Sequence, residues 1–330
     1  MQLDIFIPTL NETRNIRPCV LSIRSQRLPS GVSLRIAIVD AGSTDDTCDI
    51  ARDLNIEILD NSRLKDPEAA KQIALRSATG DFLLFMDADM QCAGPDTLAE
   101  LLRPLLQDPN RVAAFGRYVP RRGDPAINRC ISMNAMQCDP LYQALVTSAP
   151  KQSGDVLYSP ISLPPIAGTT LYRRAQLAST VPFTDRYFDV DAPVHLISNG
   201  FNRFYYSRDA LFYHEHVRSF RQLVQKRLRN LNNGRGNGLL TVQAVPRVYS
   251  WLSVKRFGRG ALVWRLLVAS SGIGLIPRAI YLAIAHRDWA GLLLPIIGPT
   301  VALTLAVGLL RSEQGRHLLI SSFSTAREQS

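Results

Sequence analysis

Two carboxylates one residue apart, Asp87 and Asp89, close the apolar run Phe82-Leu83-Leu84-Phe85-Met86, and carboxylates so placed are ligands for a hard divalent cation. The run reads as a buried strand that opens after Gly80. Such a strand delivers both side chains at its carboxyl end, where ligands bind open α/β sheets. Mg2+ or Mn2+ suits an all-oxygen site, with substrate phosphates filling part of its shell. Solvated loop acids would show the same pair, so the surroundings have to decide.

Those surroundings alternate strand and helix. Leu3 to Pro8, Leu34 to Val39, Ile56 to Leu59 and Phe82 to Met86 read as strands, and Thr13 to Gln26, Thr44 to Leu54 and Pro67 to Ala78 as helices between them. Asn11, Ser43 and Asp66 are expected at helix starts, and Gly80 after a helix end. Short β-rich runs spaced by helices imply a mostly parallel sheet with helices on both faces. From Asp108 to Tyr158 the pattern is less regular, and Arg121-Arg122-Gly123-Asp124-Pro125 reads as a loop.

Four separated blocks in this part resemble the family 2 glycosyltransferases with the nucleotide-sugar-binding GT-A fold. Ile5-Phe6-Ile7-Pro8-Thr9-Leu10-Asn11-Glu12 is similar to the family's opening strand and turn. Ile38-Val39-Asp40-Ala41-Gly42-Ser43-Thr44-Asp45 is similar to its second strand and turn, Lys71 stands where the family keeps a basic residue, and Asp87-Ala88-Asp89 completes the set. The resemblance implies donor contacts at Pro8, Thr9, Glu12, Asp40, Lys71 and Asp87, and a metal held by Asp89 and Asp87. Arg227 and Arg229 could grip the donor pyrophosphate. A looser match, Ile166-Ala167-Gly168-Thr169-Thr170, implies acceptor contacts at Gly168 and Thr169. In Phe188-Asp189-Val190-Asp191, followed by Gly200, the resemblance makes Asp189 the catalytic base. Phe188 replaces the family's preceding acid, which leaves Asp191 as the alternative, and helix capping is the plain role for Asp189. His214 would add a nitrogen ligand, as a late histidine does in some relatives, with His216 as its alternative, and would favour Mn2+ over Mg2+. Ala41 departs from the acid many relatives carry there, so the nucleobase does not carry over.

The rest of the chain differs in charge. Residues 1 to 110 hold 11 Lys/Arg against 17 Asp/Glu, and residues 111 to 330 hold 27 against 11, so the formal net charge of +10 comes from the second part. Arg218, Arg221, Lys226, Arg227 and Arg229 fall at helical spacing with leucines between them, which reads as an amphipathic helix on an anionic membrane surface. Ala290 to Leu310 carries no charge and is long enough to cross a ~30 Å hydrocarbon core; a buried core helix would look similar. Leu266 to Ala285, broken by Pro277-Arg278, pairs with it as an expected hairpin. Basic residues on both flanks put the catalytic part in the cytoplasm by the positive-inside rule. No signal peptide is evident at Met1-Gln2-Leu3-Asp4, and five scattered cysteines show no zinc or disulfide pattern.

The expected organisation is a GT-A catalytic domain over 1–217, a basic interfacial region over 218–260, a two-helix transmembrane hairpin over 261–312 and a cytoplasmic tail over 313–330. The expected function is metal-dependent inverting transfer of a sugar from a nucleotide-diphosphate sugar to a lipid-linked or other membrane-associated acceptor, at the cytoplasmic membrane as a multi-pass protein. The opening blocks look somewhat like polyprenyl-phosphate sugar synthases. No nucleic acid partner is expected. A nucleotidyltransferase would show a Gly-rich basic loop after the first strand, where this chain has Pro8-Thr9-Leu10-Asn11-Glu12. A scaffold that has lost catalysis is disfavoured by the retained carboxylates.

Overall fold

The computed structural model describes residues 1–133, 152–159, 169–181, 187, 189, 192–232, 264, 267, 268, 270–311, 313 and 316. In chain order its elements are β1 (Gln2–Thr9), α1 (Ile16–Arg24), β2 (Ser33–Asp40), α2 (Thr47–Asp53), β3 (Glu57–Asp60), α3 (Pro67–Ser77), β4 (Phe82–Phe85), β5 (Met90–Cys92), α4 (Thr97–Gln107), β6 (Ala113–Tyr118) and α5 (Ala126–Met133). There follow β7 (Gly154–Leu157), β8 (Thr170–Arg173), α6 (Arg174–Thr180), α7 (Ala192–Ser198), β9 (Arg203–His214), α8 (Phe220–Asn232), α9 (Ile276–His286) and α10 (Leu294–Arg311). The chain divides into two compact units. The first comprises Met1–Val119 with Ser148–His214, and the second Pro120–Thr147 with Glu215–Ser330.

The first unit is built on β1, which is apolar on both faces because helices cover both. Leu3, Ile5 and Ile7 pack with Ile16, Val20 and Ile23 of α1. Phe6 points the other way and joins Ala70, Ala74 and Leu75 of α3. This alternation is the period of a strand buried between two helical layers. The described strands form one sheet in the order β3-β2-β1-β4-β8-β6-β9-β5, with β7 on β9. β3, β2, β1 and β4 are parallel. β8 enters antiparallel to both β4 and β6, and β9 runs parallel to β6 and antiparallel to β5 and β7. The sheet is therefore mixed, and its parallel half ends where β4 hands over to β8.

One polar residue is fully buried in β1. The Asp4 carboxylate accepts the backbone N–H groups of Thr79 and Gly80, each at 2.8 Å, and faces Arg35 at 3.6 Å. It thereby anchors the turn from which β4 starts. A β-carbon on Gly80 would stand 2.8 Å from the Gln2 carbonyl and 2.9 Å from Asp4, so only glycine allows this approach.

Helix starts differ from expectation at two of three places. Asp66 caps α3, accepting from Ala69 N–H at 2.8 Å, with Pro67 following it. Asn11 and Ser43 instead join two turns to each other: Asn11 N–H donates to Ser43 Oγ at 2.9 Å, and Thr44 N–H donates to Asn11 Oδ1 at 2.8 Å. Short polar side chains bond equally well across a turn and to a helix end. Here α1 and α2 begin later, at Ile16 and Thr47.

In the second unit, α5, α8, α9 and α10 share one apolar core that includes Ile127, Leu223, Leu282, Ile297 and Val301. Pro277 does not break an apolar helix but stands in the first turn of α9, where its missing N–H costs little. Among the described residues one helix, Trp289–Gly308 at 20 residues, is long and apolar enough to cross a membrane; Ile273–His286 is apolar but shorter.

Removing the Asp4 carboxylate strands two backbone donors, that of Gly80 in a buried place and that of Thr79 in a part-buried one. Asp4→Ala is expected to lower the unfolding free energy by about 2–4 kcal/mol, read as a lower urea midpoint at unchanged slope. Asp4→Asn, which keeps an acceptor, is expected to lose clearly less.

Candidate active site

The acidic pair follows from where β4 stops. Past Phe85 the chain keeps one more bond to β1, Met86 N–H to the Phe6 carbonyl at 3.0 Å, and then turns, with Met90 N–H donating to the Asp87 carbonyl at 3.0 Å. Met86, Ala88 and Met90 are buried in the core around α1. The alternate residues Asp87 and Asp89 are only partly covered. Anchoring every second residue thus turns both carboxylates to the same side.

The third member arrives by strand pairing. β5 runs antiparallel to β9 with Met90 opposite His214. That register brings His214 Nε2 to 3.2 Å from Asp89 Oδ1, and the imidazole lies tilted against Tyr118 at 4.9 Å between ring centres. One ligand atom from each of Asp87, Asp89 and His214 lies within 4.8 Å of the others. Two carboxylates and an imidazole around one point could hold Mn2+ or Mg2+. Burial pushes the neighbouring Cys19 thiol well up, and Cys92, Asp89, Asp87 and Glu12 push it in the same direction. His216 belongs to the second unit, where its ring nitrogen Nδ1 lies 3.2 Å from Lys226 Nζ.

At the ends of β1 and β2, Thr9 Oγ1 donates to Asp40 Oδ1 at 3.0 Å. Asp40 also accepts from Gly42 N–H at 3.0 Å, Ser43 N–H at 2.8 Å and Ser43 Oγ at 2.6 Å. Burial pushes its carboxyl up, yet these hydrogen bonds outweigh burial and hold it below the usual range. Asp40 is therefore occupied with shaping its own turn. Asp45 behaves alike: against a burial contribution, bonds from Thr13 and Thr47 hold it at about 2. Glu12 donates its N–H to Thr47 Oγ1 at 2.7 Å and accepts from Asn15 Nδ2 at 2.7 Å. Pro8 lies partly exposed beside them, opposite Val39.

A second charged cluster lies on α3. Lys71 is buried and its ammonium donates to Asp189 Oδ2. Burial alone would lower the Lys71 pKa, but Asp189, Asp87 and Glu68 raise it above its ordinary value, so it stays protonated. The segment carrying Asp189 is docked by Tyr187, which is buried, lies tilted against Phe85 with ring centres 4.8 Å apart, and donates its N–H to the Glu68 carbonyl at 3.0 Å. Neither Tyr187 nor Glu68 was expected from sequence; an aromatic two positions before the acid was the one available signal for the former.

Thr169 is buried, with its hydroxyl on the Gly116 carbonyl at 3.3 Å. Gly200, at φ +85°, ends α7. Arg227 stands on α8 in the second unit, and the Arg229 side chain, Gly168, Phe188 and Asp191 lie outside the described residues.

Glu68 is the strained member of the cluster. Burial lifts its carboxyl to about 7, with Lys71 pulling down and Asp189 pushing up, and Oε2 has no hydrogen-bond partner among the described residues. A carboxyl raised by folding stabilises fully below its ordinary value of 4.5, and that contribution disappears as pH rises through 7. Between pH 5 and pH 8 the chain is expected to lose stability relative to Glu68→Gln, on the order of 3 kcal/mol at most. Urea unfolding of both proteins across that range checks this.

Residues 4–179, more than half of the chain, match the family described as Glycosyl transferase family 2. Over 92 residues the chain is 33% identical to the glycosyltransferase AglE of Haloferax volcanii, covering 26% of this chain and 30% of that one. Over 123 residues it is 28% identical to a dolichol-phosphate mannosyltransferase of Pyrococcus furiosus, covering 36% and 34%. The matched stretch thus spans about a third of the length of these curated relatives. The solved structure of the mannosyltransferase PcManGT from Pyrobaculum calidifontis, in complex with GDP-Man and Mn2+, aligns over 98% of this chain and 80% of that one at 19% identity, with a TM-score of 0.50. That likeness is one of fold, the mixed GT-A type sheet. With the opening strand, the Asp40 turn, Lys71 and the Asp87-Ala88-Asp89 turn all inside the matched region, the chain belongs to the family 2 glycosyltransferases.

Proposed function

We propose that this chain is a metal-dependent, inverting glycosyltransferase that moves a sugar from a nucleotide-diphosphate sugar to a membrane-associated acceptor. The observation that carries this reading is the meeting of Asp87, Asp89 and His214 at one point, with Asp87 also close enough to raise the Lys71 pKa. Asp89, Asp87 and His214 would hold Mn2+ or Mg2+, which when bound stabilises the charge that develops on a departing diphosphate. Pro8, Thr9 and Glu12 line the turn that receives the donor, and Asp40 keeps that turn in shape.

Lys71 has two partners to choose between. In the free chain its ammonium covers Asp189. A donor diphosphate offers it a stronger anion, and moving there uncovers the Asp189 carboxylate. Asp189 then accepts the proton of an attacking hydroxyl. One base with in-line displacement gives inversion at the anomeric carbon. The acceptor is expected at Gly168 and Thr169, and the Thr169 hydroxyl is held by the Gly116 carbonyl.

A lipid-linked acceptor fits the apolar helices of the second unit, which hold the enzyme at a membrane with its catalytic part on the cytoplasmic side. The expectation of a multi-pass arrangement rests on hydropathy, and among the described residues one helix, Trp289–Gly308, is long and apolar enough to cross. The name of the Pyrococcus furiosus relative favours a second acceptor class, a polyprenyl phosphate. A phosphate is already ionised and needs no base.

Purified full-length protein in detergent, given UDP-, GDP- and dTDP-sugars with Mn2+ or Mg2+ and membrane lipid, is expected to release nucleotide from one donor, with more release when lipid is present. Absence of release from every donor would instead fit a scaffold that has lost catalysis. With the active donor, Asp189→Asn is expected to lower kcat by about 10²–10⁴ at nearly unchanged donor KM if the acceptor is a hydroxyl. A near-normal kcat would point to the phosphate acceptor.

A further inference from the structure

We infer that the second unit seats the protein in one leaflet of an anionic membrane, with α9 and α10 lying along the surface instead of threading a hairpin through it. This rests on the membrane-associated reading proposed above and specifies how the contact is made.

The turn between the two helices is tied back to its own unit. Asp288 accepts two bonds from the Arg129 guanidinium of α5, Nε to Oδ2 at 2.6 Å and Nη2 to Oδ1 at 3.0 Å. The adjacent residue of α5, Asn128, accepts the backbone N–H of Val217 at 3.2 Å, just after the chain joins this unit at Glu215. A helix of eight residues is about 12 Å long. A hairpin that crosses a ~30 Å hydrocarbon core carries its turn to the far side. Here the turn and the start of the segment leading to the hairpin are fastened to neighbouring residues of one short helix, which keeps both on the same side.

The two faces of α10 support this. Leu294, Ile297, Val301 and Leu305 form its buried stripe and share a core with Leu223 of α8. The outer side of α8 exposes Arg221, Gln222 and Gln225. Hydrocarbon does not tolerate such a neighbour alongside a spanning helix. Away from that stripe, α9, the turn that follows it and α10 expose Ile280, Ile284, Trp289, Leu292, Ile296 and Leu303, between 48% and 72% accessible. A water-facing helix carries polar residues there; an interfacial one carries these. Arg278 and Arg287, both exposed beside the apolar stripe, supply the charge that recognises anionic lipid phosphates.

The test uses the full-length protein. In intact bacterial cells and in inverted membrane vesicles, Arg287→Cys and Arg218→Cys would each be treated with a membrane-impermeant thiol reagent and compared with the parent. Labelling of both from the same, inner side only is expected; labelling of Arg287→Cys from outside overturns the inference. In a second arm, Ile280→Glu combined with Ile284→Glu is expected to reduce flotation with phosphatidylglycerol–phosphatidylcholine vesicles at least about tenfold, while circular dichroism stays that of the parent. Unchanged flotation, or a parent that does not float, also overturns it. Nucleotide release in detergent reads the catalytic proposal separately, so each can fail without the other.

Discussion

The arrangement of the candidate site depends on the register of one strand pair. β5 is three residues long, yet its antiparallel pairing with β9 puts Met90 opposite His214 and so sets the imidazole beside Asp89. Strand side chains alternate, so a slip of one residue would turn Tyr213 or Glu215 toward the acids. The slip is opposed from both strands. Met90 and Cys92 are buried under α1, and Phe212 is buried in the same core. The same alternation that buries Met86, Ala88 and Met90 leaves Asp87 and Asp89 facing out. Within residues 86–90 packing and chemistry are thus opposite faces of one short segment, and His214 reaches Asp89 from the last position of β9.

A second tension runs through α3. Lys71, Glu68, Asp189 and Asp87 interact around a buried ammonium, and the whole is held by Tyr187 against Phe85 and the Glu68 carbonyl. Buried charge of this kind contributes little to stability for its own sake. Under the proposed function the cost has a use, since the ammonium that covers the base in the free chain is the one a donor diphosphate attracts.

Much of this was legible in the sequence where the information is local. β1, β2 and β4 show as apolar runs, and their ends were expected within a residue or two. The Asp87-Ala88-Asp89 turn shows as acids after a strand. What was not legible is non-local or depends on choosing between equivalent bonds. Asn11 and Ser43 have the right side chains to cap helices, but they stitch the β1 and β2 turns together instead. Asp4 is an acid inside an apolar strand, and only the return of the chain at Thr79 and Gly80 explains it. The Lys71–Asp189 pair joins distant segments through two side chains, a contact that neither local pattern contains. In the second unit, hydropathy marks two apolar segments; among the described residues Trp289–Gly308 is long and apolar enough to cross a membrane and Ile273–His286 is shorter, and hydropathy alone does not see which of their faces are covered.

The central claim is that one cation site is shared by Asp87, Asp89 and His214. The most direct measurement is electron paramagnetic resonance of Mn2+ titrated with the full-length protein in the presence of UDP or GDP, comparing the parent with Asp89→Ala and His214→Ala. The account predicts depletion of the free Mn2+ signal by the parent, no depletion by Asp89→Ala, and affinity at least about tenfold weaker for His214→Ala. Equal depletion by all three proteins, or none by the parent, would contradict it.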